Sequence, residues 1–244
     1  MIKLVFDMRR ILLVCFALTV AVVGRSQTFR TMFSPAYERV TAEIVAGFNT
    51  SDLILEDIGR QAGAVANFKQ HPGFNFGVNV DVPVFEGFYI KPGLSFTTRG
   101  GNYRKQLNDT DYFREVCSSY YLQMPIFASF RLGDIDTAQL QLNIGPYFSL
   151  GLFGDRTRSE KLGRVELTTE YDYFYTEYDG NLEDGFARRF DWGLSFVVGM
   201  LFVEHIYLGV QYDLGLYNIA KERRDVKYCN IYNGNLSVSV GYRF

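Results

Sequence analysis

The chain has 244 residues, with 25 Lys and Arg against 27 Asp and Glu. A hydrophobic share of 48% with 21% charge excludes a disordered or collagen-like chain, and a formal charge of −2 provides no basic face for nucleic acid. Phe, Tyr and Trp make up 16% of the residues, an excess that any fold has to place. In chain order, the first element is the uncharged run Ile11 to Gly24, preceded by Arg9 and Arg10 and followed by Arg25 and Ser26. The run is shorter than the roughly 20 residues a helix needs to span a bilayer, and small residues precede a cut between Ser26 and Gln27. Residues 1–26 are therefore expected to be a secretory signal peptide, 27–38 a short periplasmic segment, and 39–244 the folded domain. Cys15 lies inside the apolar run without the small residue that a lipoprotein signal needs before it. Cleavage removes Lys3, Arg9, Arg10, Arg25 and Asp7, leaving 21 basic against 26 acidic side chains.

From Phe74 onward, Phe74, Phe76, Val78, Val80 and Val82 alternate with Asn75, Gly77, Asn79 and Asp81, which is the period of a strand with one apolar and one polar face. This alternation predicts eight strands, near 39–49, 73–83, 87–98, 119–131, 138–152, 189–202, 205–217 and 234–244. Short links at Val84-Phe85-Glu86, Leu132 to Thr137 and Val203-Glu204 alternate with long ones at 50–72, 99–118, 153–188 and 218–233. Such spacing predicts an up-and-down antiparallel meander with its long loops at one end.

The two faces decide what surrounds the sheet. No Asp, Glu, Lys or Arg falls on the apolar parity of the eight segments. The other parity carries Glu43, Asp81, Lys91, Arg131, Asp191, Asp213 and Arg243, set among glycines (47, 77, 93, 145, 151, 193, 199, 209, 215 and 241) and among Ser, Asn and Gln. A water-facing surface would be crowded with Lys and Glu, whereas a narrow lumen accepts small residues and a few charges that can pair. The apolar face is expected to meet lipid and the polar face to point inward, giving an all-β, eight-stranded antiparallel up-and-down transmembrane β-barrel of the outer-membrane type. Its termini are expected on the periplasmic side.

The aromatics fit that reading as two girdles. Phe85, Phe88, Phe130, Phe202, Tyr242 and Phe244 fall near the short turns, and Phe48, Phe74, Phe96, Tyr120, Phe148, Phe190 and Trp192 near the long loops. Pro92, Pro125 and Pro146 sit within three consecutive strands of a barrel that has no free edge, so bulges or unpaired carbonyls are expected there.

The last segment, Leu236-Ser-Val-Ser-Val-Gly-Tyr-Arg-Phe244, ends on an aromatic in phase with its lipid face and looks like a C-terminal signal for the outer-membrane assembly machinery, carried by Tyr242 and Phe244. The runs Tyr121-Leu-Gln-Met-Pro-Ile126, Ile144-Gly-Pro-Tyr-Phe148, Phe190-Asp-Trp-Gly-Leu194 and Tyr207-Leu-Gly-Val-Gln-Tyr-Asp-Leu-Gly-Leu-Tyr-Asn218 resemble the PorT-like outer-membrane barrel family of Bacteroidetes. The resemblance spans about 40–244. It implies the barrel fold and, through the namesake, a link to type IX secretion, and it brings no catalytic residue set.

Residues that could carry chemistry are few. His71 lies in the first long loop and His205 in a short turn at the opposite end, so one site cannot use both. A lipid-modifying barrel enzyme would need His71 beside Ser118 or Ser119 at the outer rim. Cys117 and Cys229 both precede strands on the loop side, where they either form a disulfide over the mouth or remain separate thiols. The run Glu170 to Asp179 holds Tyr171, Tyr173, Phe174, Tyr175 and Tyr178. It reads either as a contact patch for a protein or glycan, or, in the preferred reading, as strands projecting beyond the bilayer. Arg188, Arg189 and the stretch Lys221 to Arg224 either touch lipopolysaccharide phosphates or are simply solvated, and Asp136-Thr137-Ala138 is either a glycosylation motif or an ordinary turn. An eight-stranded barrel is about filled by its own side chains, so the charges are expected to plug the lumen rather than line a path.

The sequence thus predicts a non-enzymatic outer-membrane protein without a cofactor, acting through extracellular loops or within an envelope assembly. The expected partners are outer-membrane lipid and lipopolysaccharide, the assembly machinery, and secretion or envelope proteins. A PorT-like secretion component and a lipid-modifying enzyme are the alternatives.

Overall fold

The computed structural model describes residues 39–56, 69–106, 111–134, 137–163, 165–174, 187–220 and 230–244. The expected signal peptide and periplasmic segment, Asp136, Tyr175, Tyr178, the stretch 221–224 and Cys229 lie outside the described residues. Among those described, the chain forms nine strands: β1 (Thr41–Glu56), β2 (His71–Phe85), β3 (Phe88–Gln106), β4 (Tyr112–Asp134), β5 (Ala138–Leu162), β6 (Val165–Asp172), β7 (Phe190–Phe202), β8 (Ile206–Gly215) and β9 (Asn230–Arg243).

Eight of them close a ring. Antiparallel pairing runs from β1 through β2, β3, β4, β5, β7 and β8 to β9, and β9 pairs back onto β1 from Glu43 opposite Arg243 to Glu56 opposite Asn230. Closure leaves no ring strand with an open edge, the condition for crossing hydrocarbon with strands. β6 stands outside the ring, paired with β5 from Asp155 opposite Asp172 to Leu162 opposite Val165.

The alternation sets which side faces out. Phe76, Val78, Leu94, Leu122, Ile144, Val198, Val210 and Val238 are exposed on the outer surface, while Glu43, Asp81, Lys91, Asp191 and Asp213 are buried inside. This inversion of a water-soluble protein is what a lipid solvent requires. Near the short turns, Phe88 packs on Phe85 and Phe130 with ring centroids 6.3 and 5.0 Å away. Near the long loops, Phe74, Phe96, Tyr120 and Phe153 form a ladder with successive separations of 6.1, 5.7 and 4.6 Å.

At the long-loop end the strands run further than the alternation predicts. Much of 99–118 and 153–188, read from the sequence as loop, is strand, and β6 is an added element. Beyond the bilayer neither face meets hydrocarbon, so the apolar period fades while the hydrogen-bond ladder continues. The upper parts of β3, β4 and β5 together with β6 make a four-stranded sheet above the rim, with Gln106 opposite Tyr112, Tyr112 opposite Lys161 and Leu162 opposite Val165.

Of the two alternatives expected at the prolines, bulges do not form, and the ladder loses a rung instead. Pro92 pairs with Ile126 and the next pair is Ser95 with Gln123 in the same register; likewise Pro125 with Tyr147 is followed by Ala128 with Ile144. A missing N–H removes a rung without slipping the ladder. Register shifts occur instead between Pro83 and Phe85 and between Tyr120 and Tyr121. In the link between Phe202 and its partner Ile206, Val203 and Glu204 both have positive φ (47° and 64°), and His205 N–H donates to the Phe202 carbonyl at 3.2 Å, which closes a turn with both central residues in the left-handed region.

Candidate functional site

The seven charges expected in the lumen fall into two networks, and an eighth charge joins them. In the half toward the short turns, Lys91 Nζ donates to Glu43 Oε1 at 2.8 Å and lies 3.8 Å from Asp81 Oδ1. Arg131 pairs with Asp81 Oδ2 at 2.5 Å while its guanidinium lies 3.6 Å from the centre of the Tyr89 ring, and Arg243 Nε is 4.0 Å from the same Asp81 oxygen. One carboxylate is therefore shared by three cations, at a burial where unpaired charge is costly.

In the half toward the long loops, the organising group is Arg99. Its Nη1 meets Asp191 Oδ2 at 2.5 Å, its Nη2 donates to Gln123 Oε1 at 2.6 Å and lies 3.7 Å from Asp213 Oδ2, and the Tyr147 ring centre is 4.8 Å away. Tyr147 and Asn233 also donate to Asp191, at 3.3 and 3.0 Å, and Gln211 donates to Asp213 at 2.7 Å. Sequence reasoning ended the third strand at Thr98 and so missed Arg99. One further step of the Lys91, Gly93, Ser95, Thr97 parity would have included it. Between the networks lies a cavity of about 30 Å³ bordered by Lys91, Asn143, Tyr207, Gln211 and Ser239, room for one or two waters.

The mouth is also filled. After β6 the chain turns back, with Phe174 N–H donating to Asp172 Oδ1 at 2.8 Å, and buries Tyr173 and Phe174 against Leu53, Cys117, Tyr121, Ala187, Ile219 and Ile231. Gly151 makes room for this, since a Cβ there would overlap the Phe174 ring. Tyr173 and Phe174 are fully buried, so they do not form part of an external contact patch; their apolar surface seals the barrel instead. Tyr171 remains partly exposed on β6.

Other expected residues are placed as follows. Ser118 Oγ lies 3.0 Å from His71 Nε2 at the loop end of β2, whereas Ser119 faces inward and donates to the Arg99 carbonyl at 2.9 Å. His205 is at the far end, its Nδ1 2.9 Å from the Arg243 carbonyl and its ring stacked on Tyr242. Tyr242 and Phe244 are exposed on the outer face, 5.0 Å apart between ring centres. Arg189 spends its guanidinium on the carbonyls of Gly151 and Leu152, at 3.0 and 2.6 Å, and Arg188 donates to Tyr217 OH at 3.0 Å. Cys117 is buried in the mouth cluster, and its expected partner Cys229 lies outside the described residues. Among the described residues no group of His, Cys, Asp and Glu is arranged to hold a metal ion.

A family model described as outer membrane protein beta-barrel domain matches residues 25–221. A search of curated protein sequences finds no match. Among solved structures, OprG of Pseudomonas aeruginosa is 13% identical with a TM-score of 0.41, the match covering 88% of this chain and 99% of OprG. Ail, the attachment invasion locus protein of Yersinia pestis, is 13% identical with a TM-score of 0.39, covering 85% and 100%. Neisserial surface protein A is 14% identical with a TM-score of 0.38, covering 85% and 100%.

Proposed function

The chain belongs to the outer membrane protein beta-barrel domain family and is an outer-membrane protein, and from that premise we propose that it is a sealed, non-enzymatic barrel that acts through contacts made outside the membrane. The observation that carries this reading is the double closure of the lumen. Two buried ion networks occupy the two halves of the lumen with only a cavity of about 30 Å³ between them, and Phe174 packs into the mouth, while β3 to β6 extend a sheet above the rim. A barrel without a path through it is left with its external surface as its working part. In planar bilayers the purified protein should give no steady conductance; a large, stable, ohmic channel overturns the reading. Cross-linking from the sheet in native membranes, followed by mass spectrometry, identifies the partner class, with lipopolysaccharide and envelope proteins as the expected outcomes.

The sequence resemblance to PorT-like barrels supports a narrower form, membership of a type IX secretion assembly. Copurification of secretion components from detergent supports that form and their absence counts against it. A second reading, a lipid-modifying enzyme, is favoured by the 3.0 Å approach of Ser118 Oγ to His71 Nε2. Altered lipid A on overexpression, abolished by His71→Ala, is its signature; unchanged lipid A dismisses it.

A further inference from the structure

We propose that the edge of β6 turned away from β5, which no other described strand pairs, is a docking site for an extended segment of a partner protein, with basic residues at alternate positions, that adds as a further strand to the projecting sheet. This rests on the reading that the protein acts through external contacts, and it names where and with what chemistry. Every ring strand has a neighbour on each side, whereas β6 is paired with β5 along one edge and, among the described residues, has no strand on the other. Its eight residues make an edge of roughly 27 Å, at about 3.4 Å per residue. All eight pairs to β5 keep one register, so no bulge twists the edge away.

Natural proteins guard such edges with Lys, Pro or bulges, because unpaired N–H and C=O groups template another strand. β6 has none of these guards. One of its faces carries Val165, Leu167, Thr169 and Tyr171, with Val165 70% and Leu167 62% exposed; the other carries Glu166, Thr168, Glu170 and Asp172, and of its β5 neighbours on that face only Lys161, opposite Glu166, is a cation, while Tyr112 OH donates to Glu166 at 2.8 Å. An incoming strand would have Lys or Arg beside Glu166 and Glu170 and apolar residues beside Val165 and Leu167, since cross-strand neighbours of opposite charge attract and like charges repel. The same acidic face disfavours pairing of β6 with a second copy of itself.

The test uses the folded protein in nanodiscs and three labelled probes: blocked peptides alternating Lys with Val, Lys with Pro, and Glu with Val. The Lys-Val peptide should bind saturably, and E166Q/E170Q should weaken it about tenfold while the barrel's electrophoretic mobility stays that of the folded form. The Lys-Pro peptide keeps the charge but cannot pair along an edge, so equal binding of both basic peptides overturns strand addition. Failure of the Lys-Val peptide to bind, or equal binding of the Glu-Val peptide, also overturns it. If these fail while cross-linking from the sheet still captures a partner, the β6 site falls and the external-contact reading stands.

Discussion

Arg99 on β3 meets Asp191 on β7, 92 residues later in the chain, at 2.5 Å. In the ring β4 and β5 lie between these strands, so the pair bridges the lumen instead of joining neighbours. With Asp213 on β8 and Gln123 on β4 held by the same guanidinium, one side chain ties four strands together from the inside.

Removing that cation leaves two carboxylates buried without their partner. Arg99→Ala is expected to destabilise the barrel by about 3–5 kcal/mol, the range for breaking a buried ion pair from one side. Equilibrium urea unfolding in micelles, followed by the single tryptophan Trp192, measures this. A companion Asp191→Asn substitution in the Arg99→Ala background should recover part of the loss, because the number of orphaned charges falls.

The mouth seal depends on Gly151. Gly151→Leu places a side chain where the Phe174 ring lies and should expel it, uncovering the buried Cys117 thiol. In a Cys229→Ser background, maleimide should label Cys117 slowly in the parent and at least about tenfold faster in Gly151→Leu and in Phe174→Ala. Equal rates would mean that Phe174 does not close the mouth.

The Val203-Glu204 turn holds two non-glycine residues at positive φ, one of them β-branched. A turn with positive φ at both central residues favours Asn followed by Gly. The double variant V203N/E204G should raise unfolding stability by about 1 kcal/mol, since Gly adopts this backbone without strain and Val203 is an exposed turn residue. A loss of stability in the same urea assay would contradict the turn geometry.

The barrel was legible because lipid on one face and a crowded lumen on the other impose a strict period of two. Phe76, Val78 and Val82 alternating with Gly77, Asn79 and Asp81 needed no further context, and eight strand positions followed. The sheet above the rim was not legible for the opposite reason. In Val165 to Asp172 water wets both faces, so Glu166 and Leu167 alternate without a core to enforce them, and nothing distinguishes strand from polar loop. Arg99 was lost at that same boundary. The burial of Tyr173 and Phe174 was hidden by a chain reversal, which the Asp172 cap on Phe174 makes and local composition does not announce. At the prolines the sequence left bulges and unpaired carbonyls open, and the ladder loses a rung without a bulge because a lost hydrogen bond costs a closed ladder less than a register slip, which would turn every following side chain to the wrong medium.

The sidedness of the strands is the claim on which the rest stands, and adjacent residues on β7 test it. Val198 is exposed on the outer face and Val197 is buried in the lumen. Single nitroxide labels at these two positions, in liposomes, are read for collision with oxygen, which concentrates in hydrocarbon, and with a water-soluble nickel chelate. The label at 198 should collide strongly with oxygen and weakly with nickel, and the label at 197 weakly with both. High nickel accessibility at 198, or an oxygen-rich environment at 197, would contradict the account.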